Sequence, residues 1–460
     1  MGPLNRPSKA FTAFCTYATA PIGPWDRRGT WCQRCGASAG DSLMSGPHIV
    51  LIHRYFVPDT PPYAHILKQI ADELAGAGYK VTVLTCQPSY SLGALRKAPA
   101  YEKLESGVEV RRWPVFNDRR STFLKLVNLA MFCLRLVWAG RRLSPVHAVM
   151  SASTPPVAVA KVGAFLAWRF GARFIYHKQD IWPEVVMTAG DGRRRTLARL
   201  LRWLDARTDQ KADRVVVLSE DMALTERRRG VTSDRIVAIN NFDPWVMDEA
   251  FLAPEDPAEA TGSTPLRVSF AGNLGRFQNL ETVFAAVVEL RDDDRIVFDF
   301  FGDGSLRAQL ENKAKDLELR NVVFHGYCDP GAVAQFLKNQ TDLGVVSLLP
   351  GVIETAYPSK TMSYLRHGCP VLALVESGSD LARVIEDAGA GVQASPADGR
   401  AVAETLRAIA DDRSSLDGAG KRAALLYRAQ FSPERQLGRW VELYDSLCRA
   451  PRFGSKTGRA

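Results

Sequence analysis

Along most of this chain, apolar and polar positions follow the rhythm of strands that take turns with helices. The run His48-Ile49-Val50-Leu51-Ile52-His53 is a short apolar strand, ending in a turn that holds Pro58, Pro61 and Pro62. A helical spacing of apolar residues follows to about Gly78, and then the strand Lys80-Val81-Thr82-Val83-Leu84-Thr85. Runs of the same kind lie at 148–150, 172–176 and 214–218, with helical patterns between them. Unbroken short apolar runs suit strands covered on both faces, and their alternation with helices predicts βαβ units and a parallel sheet.

Between residues 243 and 265 the rhythm stops, and Pro, Asp, Glu, Ala and Gly follow without a strand. Such a stretch reads as a linker between domains. The alternation resumes at 266–272 and continues at 296–301, 322–324, 343–346 and 370–374. The pattern predicts an α/β protein of two Rossmann-like domains, 44–242 and 266–430, whose parallel sheets face an interdomain cleft. Open α/β sheets bind ligands beyond the carboxyl ends of their strands, which is where that cleft lies. A C-terminal helix and tail fill 431–460, with Leu437, Trp440, Val441, Tyr444 and Leu447 on one face. The spacing allows that helix to pack either across the first domain or within the second. Residues 1–43 show no periodicity and no continuous apolar core of a secretory signal. They read as a disordered extension or as the product of an upstream start, with Met44 standing just before the first strand.

Composition narrows the class. At 460 residues, 46% hydrophobic and 24% charged, the chain reads as soluble and globular, neither disordered nor fibrous. Its eight cysteines are scattered, and only Cys32 and Cys35 form a C-x-x-C pair, with no second pair at zinc spacing. A reducing, cytoplasmic location fits. Charge adds more: the net +9 is concentrated in basic runs of the first half, including Arg119-Arg120, Arg141-Arg142, Arg193-Arg194-Arg195 and Arg227-Arg228-Arg229. These are either solvated faces or a surface for an anionic partner such as phospholipid. No nucleic-acid-binding module is recognisable.

No uninterrupted apolar run reaches the roughly 18 residues of a membrane span. The apolar segment 121–138 nevertheless sets Ser121, Lys125, Asn128, Arg135 and Arg142 in one narrow helical stripe. That spacing predicts a helix lying in a membrane interface, with a core helix of the first domain as the alternative.

Four segments carry candidate chemistry. In Phe270-Ala271-Gly272-Asn273-Leu274-Gly275-Arg276 a strand runs out into glycines ahead of a helix. Glycine lets the backbone approach a phosphate, the helix offers free N–H groups, and Arg276 can reach a diphosphate; an ordinary turn has the same glycines. Gly302-Asp303-Gly304 also follows a strand and, alone, reads as a tight turn. In Tyr357-Pro358-Ser359-Lys360, Pro and Ser start a helix, but Lys360 puts a cation at its positive end. That conflict is relieved if an anion lies between them. Finally, Tyr176-His177-Lys178-Gln179-Asp180-Ile181-Trp182-Pro183-Glu184 crowds five polar side chains at the end of a first-domain strand.

From about Pro47 to the last helix the chain resembles the family 4 glycosyltransferases, retaining enzymes of the GT-B fold. It is most similar to bacterial members that build capsule, O-antigen or colanic-acid-type exopolysaccharide. The shared marks are Gln-Asp-Ile-Trp-Pro-Glu at 179–184, Ala-Gly-Asn-Leu-Gly-Arg at 271–276, Phe-Gly-Asp-Gly at 301–304, Pro-Ser-Lys at 358–360 and His-Gly-Cys-Pro-Val at 367–371. The resemblance implies transfer of a hexose-type sugar from a nucleotide-diphosphate sugar to an acceptor hydroxyl, with neither cofactor nor metal. The acceptor would be a lipid-linked or other glycan, met at the inner face of the cell membrane. Gly272, Asn273, Arg276, Ser359, Lys360 and Ser363 would hold the nucleotide. Asp180, His177 and Glu184 would form the catalytic side.

The chain departs from the family in several places. Ser363 and Thr355 stand where a Glu pair is usual, with Glu354 one residue off. Gln278 replaces a Lys, and Gln179 replaces a His, with His177 two residues earlier. These departures keep two alternatives in view: a sugar-nucleotide epimerase of the same fold, and an inactive partner that only binds nucleotide sugar.

Overall fold

The computed structural model describes residues 46–90, 97–117, 121–143, 145–155, 157–184, 195–245 and 265–449. The expectations for residues 1–43, Cys32 and Cys35, Arg119-Arg120, Arg193-Arg194 and most of the 243–265 linker lie outside the described residues.

The described strands fall into two sheets. The first contains β1 (His48–Ile52), β2 (Lys80–Cys86), β3 (Tyr101–Lys103), β4 (Glu109–Trp113), β5 (Ala148–Ala152), β6 (Arg173–His177), β7 (Arg214–Val217) and β8 (Ile236–Ala238). Their order is β3-β4-β2-β1-β5-β6-β7-β8, with every neighbour parallel except β3 and β4. The second contains β9 (Leu266–Ala271), β10 (Ile296–Phe301), β11 (Val322–Gly326), β12 (Leu343–Ser347), β13 (Val371–Leu374) and β14 (Gly391–Ala394), in the order β11-β10-β9-β12-β13-β14, all parallel. In both, the first strand sits mid-sheet and the chain then builds outward on each side. The strand order therefore reverses beside β1 and β9, the place where such sheets take ligands.

The apolar runs that announced β1, β5 and β12 are buried along their whole length. β4, β8 and β14 were not legible: β4 alternates buried Val110 and Arg112 with half-buried neighbours and carries two arginines, β8 is only three residues long, and Gln393 interrupts β14.

Helices cover both faces of the first sheet: α1 (Pro62–Gly76), α2 (Thr122–Gly140), α3 (Ala158–Phe170), α4 (Arg195–Asp209) and α5 (Glu220–Arg228). α1 buries Tyr63, Ile66, Leu67, Ile70 and Leu74, the helical spacing seen in the sequence. The second sheet carries α6 (Leu280–Glu289), α7 (Arg307–Asp316), α8 (Pro330–Asn339), α9 (Lys360–Arg366), α10 (Asp380–Asp387), α11 (Gly399–Asp411) and α12 (Ala419–Leu426).

The last helix, α13 (Pro433–Cys448), crosses back to the first domain. Trp440, Leu443 and Tyr444 join the core built by Ile49, Leu51 and Tyr63, and Tyr79 Oη donates to Asp445 Oδ1 at 2.5 Å.

α2 bears on two expectations. It is a 19-residue helix, long and apolar enough by length and composition to cross a membrane, with 28% of its apolar window buried. Counting uninterrupted runs overlooked it, because Lys125, Asn128 and Arg135 break the run. The expected polar stripe is divided, with Lys125 and Arg142 exposed and Asn128 and Arg135 turned to the protein. Asn128 is buried and holds Phe116 with both ends of its amide, at 2.9 Å each, while Arg135 Nη1 donates to Pro114 O at 2.6 Å. Phe123, Leu126, Leu134 and Trp138 point outward instead.

Candidate active site

The two domains touch through backbone. Asp180 and Ala356 form a single antiparallel bridge, and Ile181 N donates to Thr355 O at 2.7 Å. Beside that contact a cleft of about 730 Å³ of empty space opens, bounded by Asp180 and Trp182 from the first domain and by Phe277, Gln278, Tyr357, Ser359 and Lys360 from the second.

On the second-domain side the two glycine turns serve one another. Gly272, at φ +145°, donates its N–H to Phe301 O at 3.0 Å. Gly302, at φ +121°, lies so close that a Cβ there would fall 1.9 Å from Gly272 O. Leu274 N donates to Asp303 O at 2.9 Å. The 302–304 turn, read alone as a tight turn, thus supports the 272–275 turn and has glycines because two backbones meet. Asn273 folds its amide over Gly275 and Gly304.

Arg276 is exposed, opens the short turn Arg276–Gln278, and among the described residues has no carboxylate partner. Lys360 begins α9. Its Nζ meets Gln278 Oε1, lies 3.6 Å from the Phe270 ring centroid, and its stem borders Gly272. Burial holds its ammonium well below the usual lysine range. A buried cation without an anion is costly, and an anion placed beside it reverses the shift.

On the first-domain side Ser153 Oγ accepts from Gln179 N at 3.0 Å and Asp180 N at 3.2 Å, fixing the strand exit. Burial raises the Asp180 carboxyl to about 6. Two of its expected partners lie elsewhere. His177 is buried behind the cleft wall, its ring 4.8 Å from that of Trp440. The Gln179 amide, oriented by Asn241, donates to Nε2 at 2.8 Å, which leaves Nδ1–H to donate to Tyr63 Oη at 2.8 Å. Burial lowers His177 to about 3, so it stays neutral.

Glu184 turns away to Arg229 Nε at 3.2 Å and Arg202 Nε at 3.0 Å. Arg229 also donates to Trp182 O at 2.5 Å, and reaches Asp205 at 2.8 Å, which in turn pairs with the wholly buried Lys178 at 2.6 Å. Lys178 meets Asp209 at 2.6 Å as well. His177, Glu184 and Lys178 therefore support the 177–184 segment, and Asp180 is the one expected catalytic group that lines the cleft.

Among the expected nucleotide contacts, Ser359 and Lys360 line the cleft, and Gly272, Asn273 and Arg276 lie on its Gly272 edge. Ser363 does not reach it; its Oγ donates to Asp243 Oδ2 at 3.1 Å. Glu354 points to the first domain, where Arg228 Nη1 meets it at 2.8 Å, and Thr355 is buried and donates to Val352 O at 3.0 Å. Neither takes the place of the family's Glu pair. Trp182, Phe277, Leu348 and Tyr357 were not picked out as cleft residues, since apolar side chains near strand ends look like core. Among the described residues no group of three His, Cys, Asp or Glu side chains is disposed to hold a metal ion.

Residues 63–241 match the glycosyl transferase 4-like domain, and residues 265–412 match the glycosyl transferases group 1. WbjE of Pseudomonas aeruginosa, described as a glycosyltransferase, is 28% identical over 295 residues, which is 63% of this chain and 72% of that one. WcaI of Escherichia coli, described as a colanic acid biosynthesis glycosyl transferase, is 26% identical over 333 residues, 69% of this chain and 81% of the relative. Among solved structures, the sucrose-phosphate synthase of Thermosynechococcus elongatus superposes with a TM-score of 0.68 at 17% identity, over 88% of this chain and 100% of that one. Anabaena HepE in complex with UDP and glucose superposes with a TM-score of 0.61 at 14% identity, over 87% and 100%. These superpositions carry the fold, and the two domain matches carry the family. The chain is a family 4 glycosyltransferase of the GT-B fold.

Proposed function

We propose that this glycosyltransferase moves a hexose-type sugar from a nucleotide-diphosphate sugar to a hydroxyl of a lipid-linked glycan in bacterial surface polysaccharide synthesis. It does so with retention of configuration and without a metal, at the inner face of the cell membrane. The observation that carries the reading is the cleft itself: a half-buried Lys360, which has no carboxylate partner among the described residues, borders Gly272 on one side, with the exposed Arg276 next to the cleft residues Phe277 and Gln278 and the Asp180 carboxyl on the other side. WcaI's description as a colanic acid enzyme supports the acceptor class, and the UDP and glucose bound to HepE support the donor class.

As the glycosidic bond breaks, negative charge builds on the leaving diphosphate. Lys360 and Arg276 stabilise that charge from positions fixed before the reaction starts. Asp180, on the opposite domain, orients the sugar or the acceptor hydroxyl, and the leaving phosphate takes the acceptor's proton. No residue serves as covalent nucleophile. The outward apolar stripe of α2 supports peripheral contact with the membrane that carries the acceptor.

Lys360→Ala and Arg276→Ala should each weaken binding of a nucleoside diphosphate by about 2 kcal/mol while leaving the thermal unfolding of the free protein intact. Calorimetric titration measures this, and unchanged affinity in both variants overturns the assignment. Release of free nucleotide only when a glycan acceptor is present separates transfer from epimerisation.

A further inference from the structure

The outward side of the first domain carries an apolar face wider than α2. Gly140 of α2 lies against Leu166 and Phe170 of α3, and α3 in turn packs on α4. α3 exposes Trp168 to 76% beside Phe165, and α4 exposes Trp203 to 50% beside Leu200. Together with Leu134 and Trp138 of α2, these side chains lie on three adjacent helices. Large apolar groups gathered in this way mark a contact surface.

The charges around them say what covers it. Arg141, Arg142, Arg169, Arg199 and Arg207 are exposed on or beside the three helices, and among the described residues none has a carboxylate partner. Arg142 lies over the Trp138 ring at 4.1 Å, and Arg207 over the Trp203 ring at 4.1 Å. α2 and α3 contain no Asp or Glu. The two in α4, Asp205 and Asp209, are buried against Lys178. The outer surface of the three helices thus joins apolar groups to cations with no exposed acid. Tryptophan beside arginine suits the boundary between acyl chains and anionic headgroups.

We propose that α2, α3 and α4 together form a docking face for an anionic lipid bilayer. Trp138, Trp168 and Trp203 lie at headgroup level and the arginines reach lipid phosphates. This rests on the membrane contact read from α2, and assigns α3 and α4 to the same face.

The test uses the full chain and co-sedimentation with vesicles of phosphatidylglycerol and phosphatidylcholine, or of phosphatidylcholine alone. Wild type is compared with Trp168→Ser/Trp203→Ser and with Leu134→Ser/Trp138→Ser, each checked for an intact thermal transition and wild-type nucleotide affinity. Wild type should bind the anionic vesicles, less so as salt rises, and each pair of substitutions should lower the bound fraction constant at least fivefold. If the α3/α4 variant sediments like wild type while the α2 variant does not, the wider face is overturned and α2 alone stands. If wild type binds no vesicle and light scattering shows a dimer that both variants lose, the face belongs to a second copy of the chain. If wild type binds vesicles but no nucleoside diphosphate, the docking face survives and the transferase reading falls.

Discussion

Asp180 is the residue whose chemistry depends most on its surroundings. Its neighbours are backbone, Trp182 and the second domain, so no cation offsets the loss of water, and burial raises its carboxyl to about 6. A folded-state value above the ordinary range means that the protonated form contributes stability at low pH, lost as pH rises through about 6. A rise of about two pH units is worth about 2–3 kcal/mol. Asp180→Asn keeps the shape and removes the titration. The variant should therefore gain on wild type between pH 4.5 and 7.5, ending about 2 kcal/mol more stable, while losing most transfer. Parallel stability curves across that range, read by denaturant melts, would end the argument. His177 shows the opposite case. It lies three residues before Asp180 and was expected to share its role, but His177 closes β6 with its ring packed on Tyr63 and Trp440, whereas Asp180 lies beyond the strand end and bridges to Ala356. In sequence nothing distinguishes a histidine that faces a ligand from one that faces Tyr63 and Trp440.

At the scale of elements, the glycine motifs of β9 and β10 were legible as turns, but not as a pair. Their dependence on each other comes from the parallel register of the two strands, which ends both at one level and presses Gly302 onto Gly272. Gly302→Ala should cost more than about 2 kcal/mol, because it adds a clash with backbone to an unfavourable φ. It should also weaken nucleotide binding, although Gly302 does not line the cleft. Gly378→Ala, where a Cβ meets nothing within 4 Å, is the control. Denaturant unfolding and calorimetry read the two effects, and a Gly302→Ala protein as stable as the control would refute the coupling. α2 makes a related point. Its amphipathic spacing was visible from the sequence, but which stripe meets the protein was decided by the 114–116 segment, whose backbone groups bond Asn128 and Arg135. A helix buries whichever stripe its neighbours can satisfy.

Across the whole molecule, the two domains are tied together by contacts between distant residues. Asp221 Oδ2 accepts from Asp380 N at 2.8 Å and Asp380 Oδ2 from Glu220 N at 3.3 Å, so the first turns of α5 and α10 cap each other across the domain boundary. Arg228 and Glu354 add an exposed ion pair, worth little by itself. α13 is the larger tie. It leaves the second domain at Ser432, whose Oγ caps it, and buries Trp440 in the first domain's core. Trp440→Ala should cost about 3–5 kcal/mol, since it empties a large, almost fully buried side chain. A loss below about 1 kcal/mol in denaturant unfolding would show that α13 merely rests on that core.

The sequence by itself determined most of the elements that carry a continuous apolar run or a helical stripe, and with them two parallel sheets. It also exposed the local conflict of a lysine at a helix start, which pointed to a bound anion. These are properties of neighbours along the chain, so spacing reveals them. Which side chains share the cleft, which way α2 faces and where α13 packs were decided only by tertiary structure. Each depends on groups from distant segments competing for the same burial and the same hydrogen bonds: Asp180 against Ala356, Asn128 against Phe116, and Trp440 against His177. Spacing within one segment carries no record of that competition.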